Sequence, residues 1–303
     1  MPNTQVSIAG VALKNPLVLA SGVRSNTADL LIRAAEEGAG AVTSKSCSVK
    51  PREGYANPTG IIHGNIMMNA IGLSNPGAQA ESEEIARAVG ECRKMGVPVI
   101  ASIFGNTTED YAEAAKIIGC SKPALIEVNA SCPHQHRDGK MTSADPELTT
   151  EVTKAVKRAA TIPVAVKLSP NVTNVAAIAK AAQAGGADII TAINTVGGML
   201  IDPYARRPIL ANKVGGLSGP AIKPIALKAV YEIRRAVEIP IIGGGGITCG
   251  TDAAEMLMAG ADAVSVGSAV CLRQNAFGEI LAELSQFMEK EGYEKISEIK
   301  LEE

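Results

Sequence analysis

PIIGGGGITCG (240–250) and ADAVSVGSAV (261–270) decide how this chain folds. Each is a short run of mostly β-branched residues that stops at glycine and gives way to a helical pattern. Reading outward from them, the same phrase recurs at LVLAS (17–21), AVTSKS (41–46), PVIASIF (98–104), ALIEVN (124–129), PVAVKL (163–168) and IITAIN (189–194). Most of these runs are continuously apolar rather than alternating, which is the pattern of strands buried on both faces. EGAGAV (37–42), AGGADII (184–190) and AGADAV (259–264) place glycine at a helix end before a strand, and GVPV, TIPV and EIPI use proline as a strand starter.

Helical patterns fill the intervals. Asp145 reads as an N-cap with Pro146 at the first helical position, and Thr107 with Asp110 has capping-box spacing. Val172, Val175, Ala179 and Ala182 recur on one helical face. Eight βα units joined by right-handed crossovers close into a TIM (β/α)8 barrel, here expected as a single domain over residues 1–303 with long loops at its C-terminal face. An open doubly wound sheet is the alternative. The count of eight strands and the lack of GxGxxG after the first of them speak against it.

Composition narrows the class further. Hydrophobic residues make up 46% but aromatics only 3%, so the core is aliphatic, as suits a parallel sheet under helices. Lys plus Arg (29) balances Asp plus Glu (31) without a run of either sign, which argues against a nucleic-acid surface. No apolar stretch has bilayer length, and MPNTQVSIAG (1–10) lacks the basic start and apolar core of a signal peptide. The six cysteines form no CxxC pair, so a disulfide framework, a structural zinc or an iron–sulfur cluster in this chain is not expected. Free thiols fit a cytoplasmic location. His63, His134 and His136 make no metal-binding pattern, and GxSxG is absent.

Three connections, 47–78, 130–145 and 195–221, are too long for plain turns, and all follow strands. They therefore lie at the barrel mouth, where such enzymes keep their chemistry. The strand ends there are polar: Ser21, Lys45, Ser46, Glu127, Asn129, Lys167, Asn194, Thr195, Gly245, Gly246, Gly267 and Ser268. A buried lysine without a partner is costly, so Lys45 and Lys167 imply a ligand rich in negative charge or carbonyl oxygen. GGGGIT (243–248) and GSAV (267–270) sit where barrels bind phosphate, with glycine backbone and a following helix N-terminus to hold the anion. Cys132, in NASCPH (129–134), can act as a base if nearby cations favour its thiolate, although a cysteine alone is more often inert packing.

TSKS (43–46), NAIGLSNPG (69–77), EVNASCP (127–133), VKLSPNVT (166–173), INT (193–195), PILANKVGGLSGPAIKPIAL (208–227) and IIGGGGI (241–247) resemble the class 1 dihydroorotate dehydrogenases, in order and through the whole barrel. The likeness implies FMN, contacted by Ser21, Lys45, Ser46, Asn129, Lys167, Ile193, Gly219, Gly245, Gly246, Gly267 and Ser268. It implies a pyrimidine held by Lys45, Asn69, Ala70, Ile71, Gly72, Leu73, Asn129, Asn194 and Thr195. Asparagine suits that ring, because it offers a donor and an acceptor. It also implies oxidation of dihydroorotate to orotate in pyrimidine biosynthesis, with Cys132 as the base for C5 and hydride leaving C6 for flavin N5. The chain looks closer to class 1B, in which a partner subunit carrying FAD and a [2Fe–2S] cluster passes electrons to NAD, with a homodimer core in a heterotetramer. Class 1A enzymes instead reduce fumarate directly. Two residues depart from the family pattern: His134 where SCPN is common, and Ser102 where many class 1B members carry Asn beside the flavin. SCPH also occurs in relatives that act on uracil-type rings, which is the alternative substrate class. A barrel binding a phosphorylated sugar without flavin is a further alternative.

Overall fold

All eight runs form strands in the computed structural model of the chain, which describes residues 2–131 and 142–302. They are β1 (Leu17–Leu19), β2 (Ala41–Thr43), β3 (Val99–Ile103), β4 (Leu125–Asn129), β5 (Val164–Leu168), β6 (Ile189–Ala192), β7 (Ile241–Gly244) and β8 (Ala263–Val266). Each pairs in parallel with its sequence neighbours, and β8 pairs with β1 to close the barrel. Around it run α1 (Ala28–Glu36), α2 (Ala78–Lys94), α3 (Thr108–Gly119), α4 (Pro146–Ala159), α5 (Val175–Ala184), α6 (Lys223–Arg234), α7 (Gly250–Met258) and α8 (Ala276–Glu291). No described helix is long and apolar enough to cross a membrane.

The punctuation behaves as its chemistry demands. Gly38, Gly186 and Gly260, just past α1, α5 and α7, have φ of 104°, 92° and 110°, a region in which a Cβ is penalised. The Asp145 carboxylate accepts from the N–H groups of Glu147 and Leu148, with Pro146 opening α4. Thr107 accepts from Asp110 N–H at 3.1 Å, but the Asp110 carboxylate reaches Asn106 N–H rather than Thr107, so the reciprocal half of the box is shifted by one residue.

Period-two alternation sorts the barrel interior into tiers. The lowest is apolar: Val18, Ala41, Ile100, Leu125, Ala165, Ile189, Ile242 and Ala263 pack together. Each fully buried Leu or Ile here contributes about 1.5–3 kcal/mol. Ile8 and Leu13 join the same cluster. They come from an antiparallel hairpin, Val6–Ile8 with Val11–Leu13, so the chain builds a plug under the barrel before its first barrel strand instead of starting directly at it. Two residues further along each strand the tier turns polar, with Thr43, Ser102, Glu127, Lys167, Thr191 and Ser265. Two residues further still come Gly22, Lys45, Asn129, Ser169, Ile193, Gly246 and Gly267, which face the mouth.

The first and third long connections are ordered pieces of structure. Gly60–His63 and Ile66–Asn69 from the first, and Val196–Gly198 and Gly215–Ser218 from the third, form one antiparallel four-stranded sheet beside the mouth. Ile201–Asp202 pairs with Arg207–Pro208 in a separate hairpin. Of the second connection, residues 130, 131 and 142–145 are described, with a short 3-10 turn at Thr142–Ala144.

Candidate active site

A cleft of about 770 Å³ opens at the C-terminal end of the strands. Every expected contact residue within the described chain lines it. Ser21, Lys45, Ser46, Asn129 and Lys167 reach it from the strand ends. Ile193, Asn194 and Thr195 follow β6, and Gly245, Gly246, Gly267 and Ser268 follow β7 and β8. Asn69, Ala70, Ile71, Gly72, Leu73 and Gly219 come from the mouth sheet and its flanks. Cys132, His134 and His136 lie outside the described residues. Ser131, which precedes Cys132 in sequence, lines the cleft and is buried.

The segment 70–73 is arranged as an anion receptor. Its carbonyls are turned away and occupied: Ile71 O accepts from Tyr55 N–H, Gly72 O from Arg52 Nε at 2.8 Å, and Leu73 O from Asn75 Nδ2 at 2.9 Å. The N–H groups of Ile71, Gly72 and Leu73 donate to no group among the described residues. Gly72 and Leu73 hold φ of 74° and 59° while Ile71 before them does not, a change of hand of the kind that lets successive amides form an anion nest. A Cβ on Gly72 would stand 2.8 Å from the Tyr55 ring, which makes glycine necessary there. Asn75 fastens the segment from below. Its Oδ1 accepts from Ser48 N–H and Gly77 N–H, and its Nδ2 also donates to Ser48 Oγ.

Lys45 shares this end of the cleft. Its backbone is pinned by a bond from its N–H to Ser25 O, while its ammonium makes no ion pair among the described residues. Burial pushes the Lys45 ammonium below the usual lysine range, the Glu81 charge works against that, and Lys167 adds to it. Glu81, in the first turn of α2, is itself 2% exposed, and burial followed by the charge of Glu84 raises its carboxyl to about 7. Nothing in the sequence marked Glu81, because a glutamate in a helical first turn reads as solvated.

Across the floor runs a chain of polar side chains. Asn129 Nδ2 donates to Ser46 Oγ at 3.1 Å, Ser46 and Ser102 hydroxyls meet at 2.9 Å, and Ser102 Oγ donates to Glu127 Oε1 at 3.2 Å. The same carboxylate oxygen stands 4.0 Å from Lys167 Nζ. On the other side Asn129 Oδ1 accepts from Ser131 Oγ at 2.7 Å, and Asn194 Nδ2 donates to Ser131 Oγ. Ser102, the residue that departs from the family's Asn, is thus fully buried below the cleft and is not among its lining residues. Ser131 and Asn171 are functional candidates that the residue-by-residue reading omitted. Asn171 bonds Ser169 Oγ, Thr195 O and Gly197 N–H, and so ties β5 to the segment after β6.

The glycine loops after β7 and β8 leave amides free. The N–H groups of Gly246, Gly267 and Ser268 have no partner among the described residues. The α7 N-terminus, by contrast, is filled by the chain's own carboxylates. Asp252 accepts from Thr248 N–H, Thr248 Oγ1 and Cys249 N–H, and Glu283 accepts from Gly250 N–H at 2.7 Å. An anion there must use the glycine loops, not that helix end. Burial would raise the Asp252 carboxyl, but Lys223 at 2.6 Å and the Thr248 hydroxyl hold it below the usual carboxylate range.

Comparison with known proteins gives the family. The family model for dihydroorotate dehydrogenase matches residues 3–288. The chain is 47% identical over 296 residues to a Pyrococcus abyssi protein named dihydroorotate dehydrogenase B (NAD(+)), catalytic subunit, covering 97% of each. Proteins of the same name from Methanosarcina acetivorans (46% over 294 residues, 97% of this chain and 94% of the relative) and Methanocaldococcus jannaschii (45% over 289 residues, 95% and 94%) are similarly alike.

Proposed function

Because the chain belongs to the dihydroorotate dehydrogenase family, and is therefore an oxidoreductase of pyrimidine biosynthesis, we propose that its cleft holds dihydroorotate against FMN, with Cys132 as the base. The observation that carries the reading is the pairing of free amides at 71–73 with the Lys45 ammonium, which makes no ion pair among the described residues. A dihydropyrimidine with a carboxylate satisfies both, whereas a uracil-type ring, lacking that group, leaves them empty. Asn129 and Asn194, joined through Ser131, offer amide groups to the ring's alternating N–H and C=O edge.

The residues present fit FMN. Unpaired N–H groups at Gly246, Gly267 and Ser268 suit its phosphate, and Lys167 offers a cation to a ring that becomes negative. Bound there, FMN would supply an acceptor for the hydride at C6 of the substrate. The thiolate of Cys132 would take the proton from C5, and the nest with Lys45 would fix the carboxylate and with it the ring. The onward path to NAD would need a partner subunit carrying FAD and a [2Fe–2S] cluster, in a heterotetramer built on a homodimer of barrels. This chain has neither a dinucleotide fingerprint nor a cluster-ligand spacing of its own.

Anaerobic mixing of the purified yellow protein with dihydroorotate tests the reading. The flavin absorbance should bleach with dihydroorotate and persist with dihydrouracil. Bleaching by both alike would refute the carboxylate assignment, and colourless protein would refute the cofactor. Cys132→Ala should stay yellow and bleach at least a hundredfold more slowly.

A further inference from the structure

We infer that Glu127 is a positioning residue for the floor of the cleft. It is the counter-charge of Lys167 and the acceptor that gives the Asn129–Ser46–Ser102 chain its direction. The inference rests on the reading that FMN lies over Lys167. Glu127 is 3% exposed, one tier below the cleft, and does not line it. A carboxylate is not placed in the interior of a barrel without reason, because removing it from water is costly unless it is paired and hydrogen-bonded. Here it has both, a cation at 4.0 Å and a hydroxyl at 3.2 Å on the same oxygen.

The direction of the chain follows from the donors. A carboxylate only accepts, so Ser102 must point its proton at Glu127. The proton of Ser21 is committed to Ser44 O at 2.8 Å. Ser46 takes a hydrogen bond from Asn129 Nδ2 and passes its own proton to Ser102 Oγ, the nearer of its two remaining neighbours at 2.9 Å against 3.3 Å for Ser21. The amide of Asn129 is thereby fixed with its nitrogen inward and its oxygen toward Ser131. One buried oxygen thus sets both the charge balance under the ring and the orientation of an amide that faces the substrate. Glutamine at 127 can donate as well as accept, so it would remove the charge and the direction together while keeping the volume.

The test is the midpoint potential of bound FMN in the parent and in Glu127→Gln, measured by anaerobic dye equilibration. Loss of one negative charge beneath the ring should favour the reduced, negatively charged flavin by about tenfold, a rise of about 30 mV for two electrons. Ser102→Ala keeps the charge but cuts the chain. It should leave the potential near the parent's and raise KM for dihydroorotate severalfold with little change in kcat. A merely structural role would lower the melting temperature of both variants and leave the potential unmoved. If Glu127→Gln does not fold, Glu127→Asp, which withdraws the charge by one methylene, should move the potential the same way by less. A potential equal to the parent's in whichever of these variants holds FMN overturns the inference. Failure of the parent itself to bind FMN would instead overturn the reading on which it rests.

Discussion

Replacing Glu81 by glutamine should make the protein more stable at neutral and alkaline pH, and the size of the gain can be worked out. Its carboxyl is raised from an ordinary 4.5 to about 7, mainly by burial in the first turn of α2. A raised carboxyl means that the folded state keeps a proton that the unfolded chain has given up. Stability from this group therefore falls as pH climbs from about 4.5 to about 7, and is constant above that. At about 1.4 kcal/mol per pH unit, the penalty at pH 8 is about 3 kcal/mol. Glutamine has nearly the same shape and no proton to lose. The stability gap between Glu81→Gln and parent should thus be about 3 kcal/mol more in the variant's favour at about pH 8 than at about pH 4. Comparing two pH values cancels any fixed difference in packing. The chain has no tryptophan, so urea unfolding is best followed by helical circular dichroism. A gap that stays level across this range, or moves toward the parent, would refute the reasoning.

Three further outcomes follow from the site. Gly72→Ala forces a Cβ to 2.8 Å from the Tyr55 ring at φ 74°, so it should raise KM for dihydroorotate at least tenfold while the flavin spectrum is kept; an unchanged KM would remove the nest from the binding site. Asn75→Ala strips Ser48 N–H, Gly77 N–H and Leu73 O of their partner and should cost about 2–3 kcal/mol in a urea melt, with KM rising as the 70–73 segment loosens. Asp252→Ala strips Thr248 N–H and Cys249 N–H of their acceptor and leaves Lys223 paired with Glu255 alone, costing about 1–2 kcal/mol at neutral pH. Because the folded Asp252 carboxyl is depressed, its contribution is full above the ordinary carboxylate range and fades below it, so parent and variant should converge in stability as acid is added.

The barrel was legible because strands buried on both faces leave continuous apolar runs, and glycine past a helix leaves a fixed mark before the next run. Lys45, Lys167, Asn129 and the glycine loops were legible for the opposite reason, since polar groups interrupt runs that should be apolar. The mouth sheet was hidden. Val196–Gly198 and Gly215–Ser218 are glycine-rich and half-buried, and Gly216 pairs with Asn69, far away in the chain. The Val6–Leu13 plug was hidden too, because a short alternating hairpin looks like a leader into β1. The level of Ser102 could be counted: two residues on from the floor residue Ile100, it stands with Glu127, its register partner on β4, whereas its hydrogen bonds to Ser46 and Glu127 could not be read from sequence.

Ile8 and Leu13 seal the underside of the barrel, and that stopper has a consequence for traffic. Closed below, the barrel fills and empties at its mouth end. Orotate leaves at the same end by which dihydroorotate came in, so a product molecule still in the cleft keeps the next substrate out, and added orotate should slow the bleaching of the flavin by dihydroorotate.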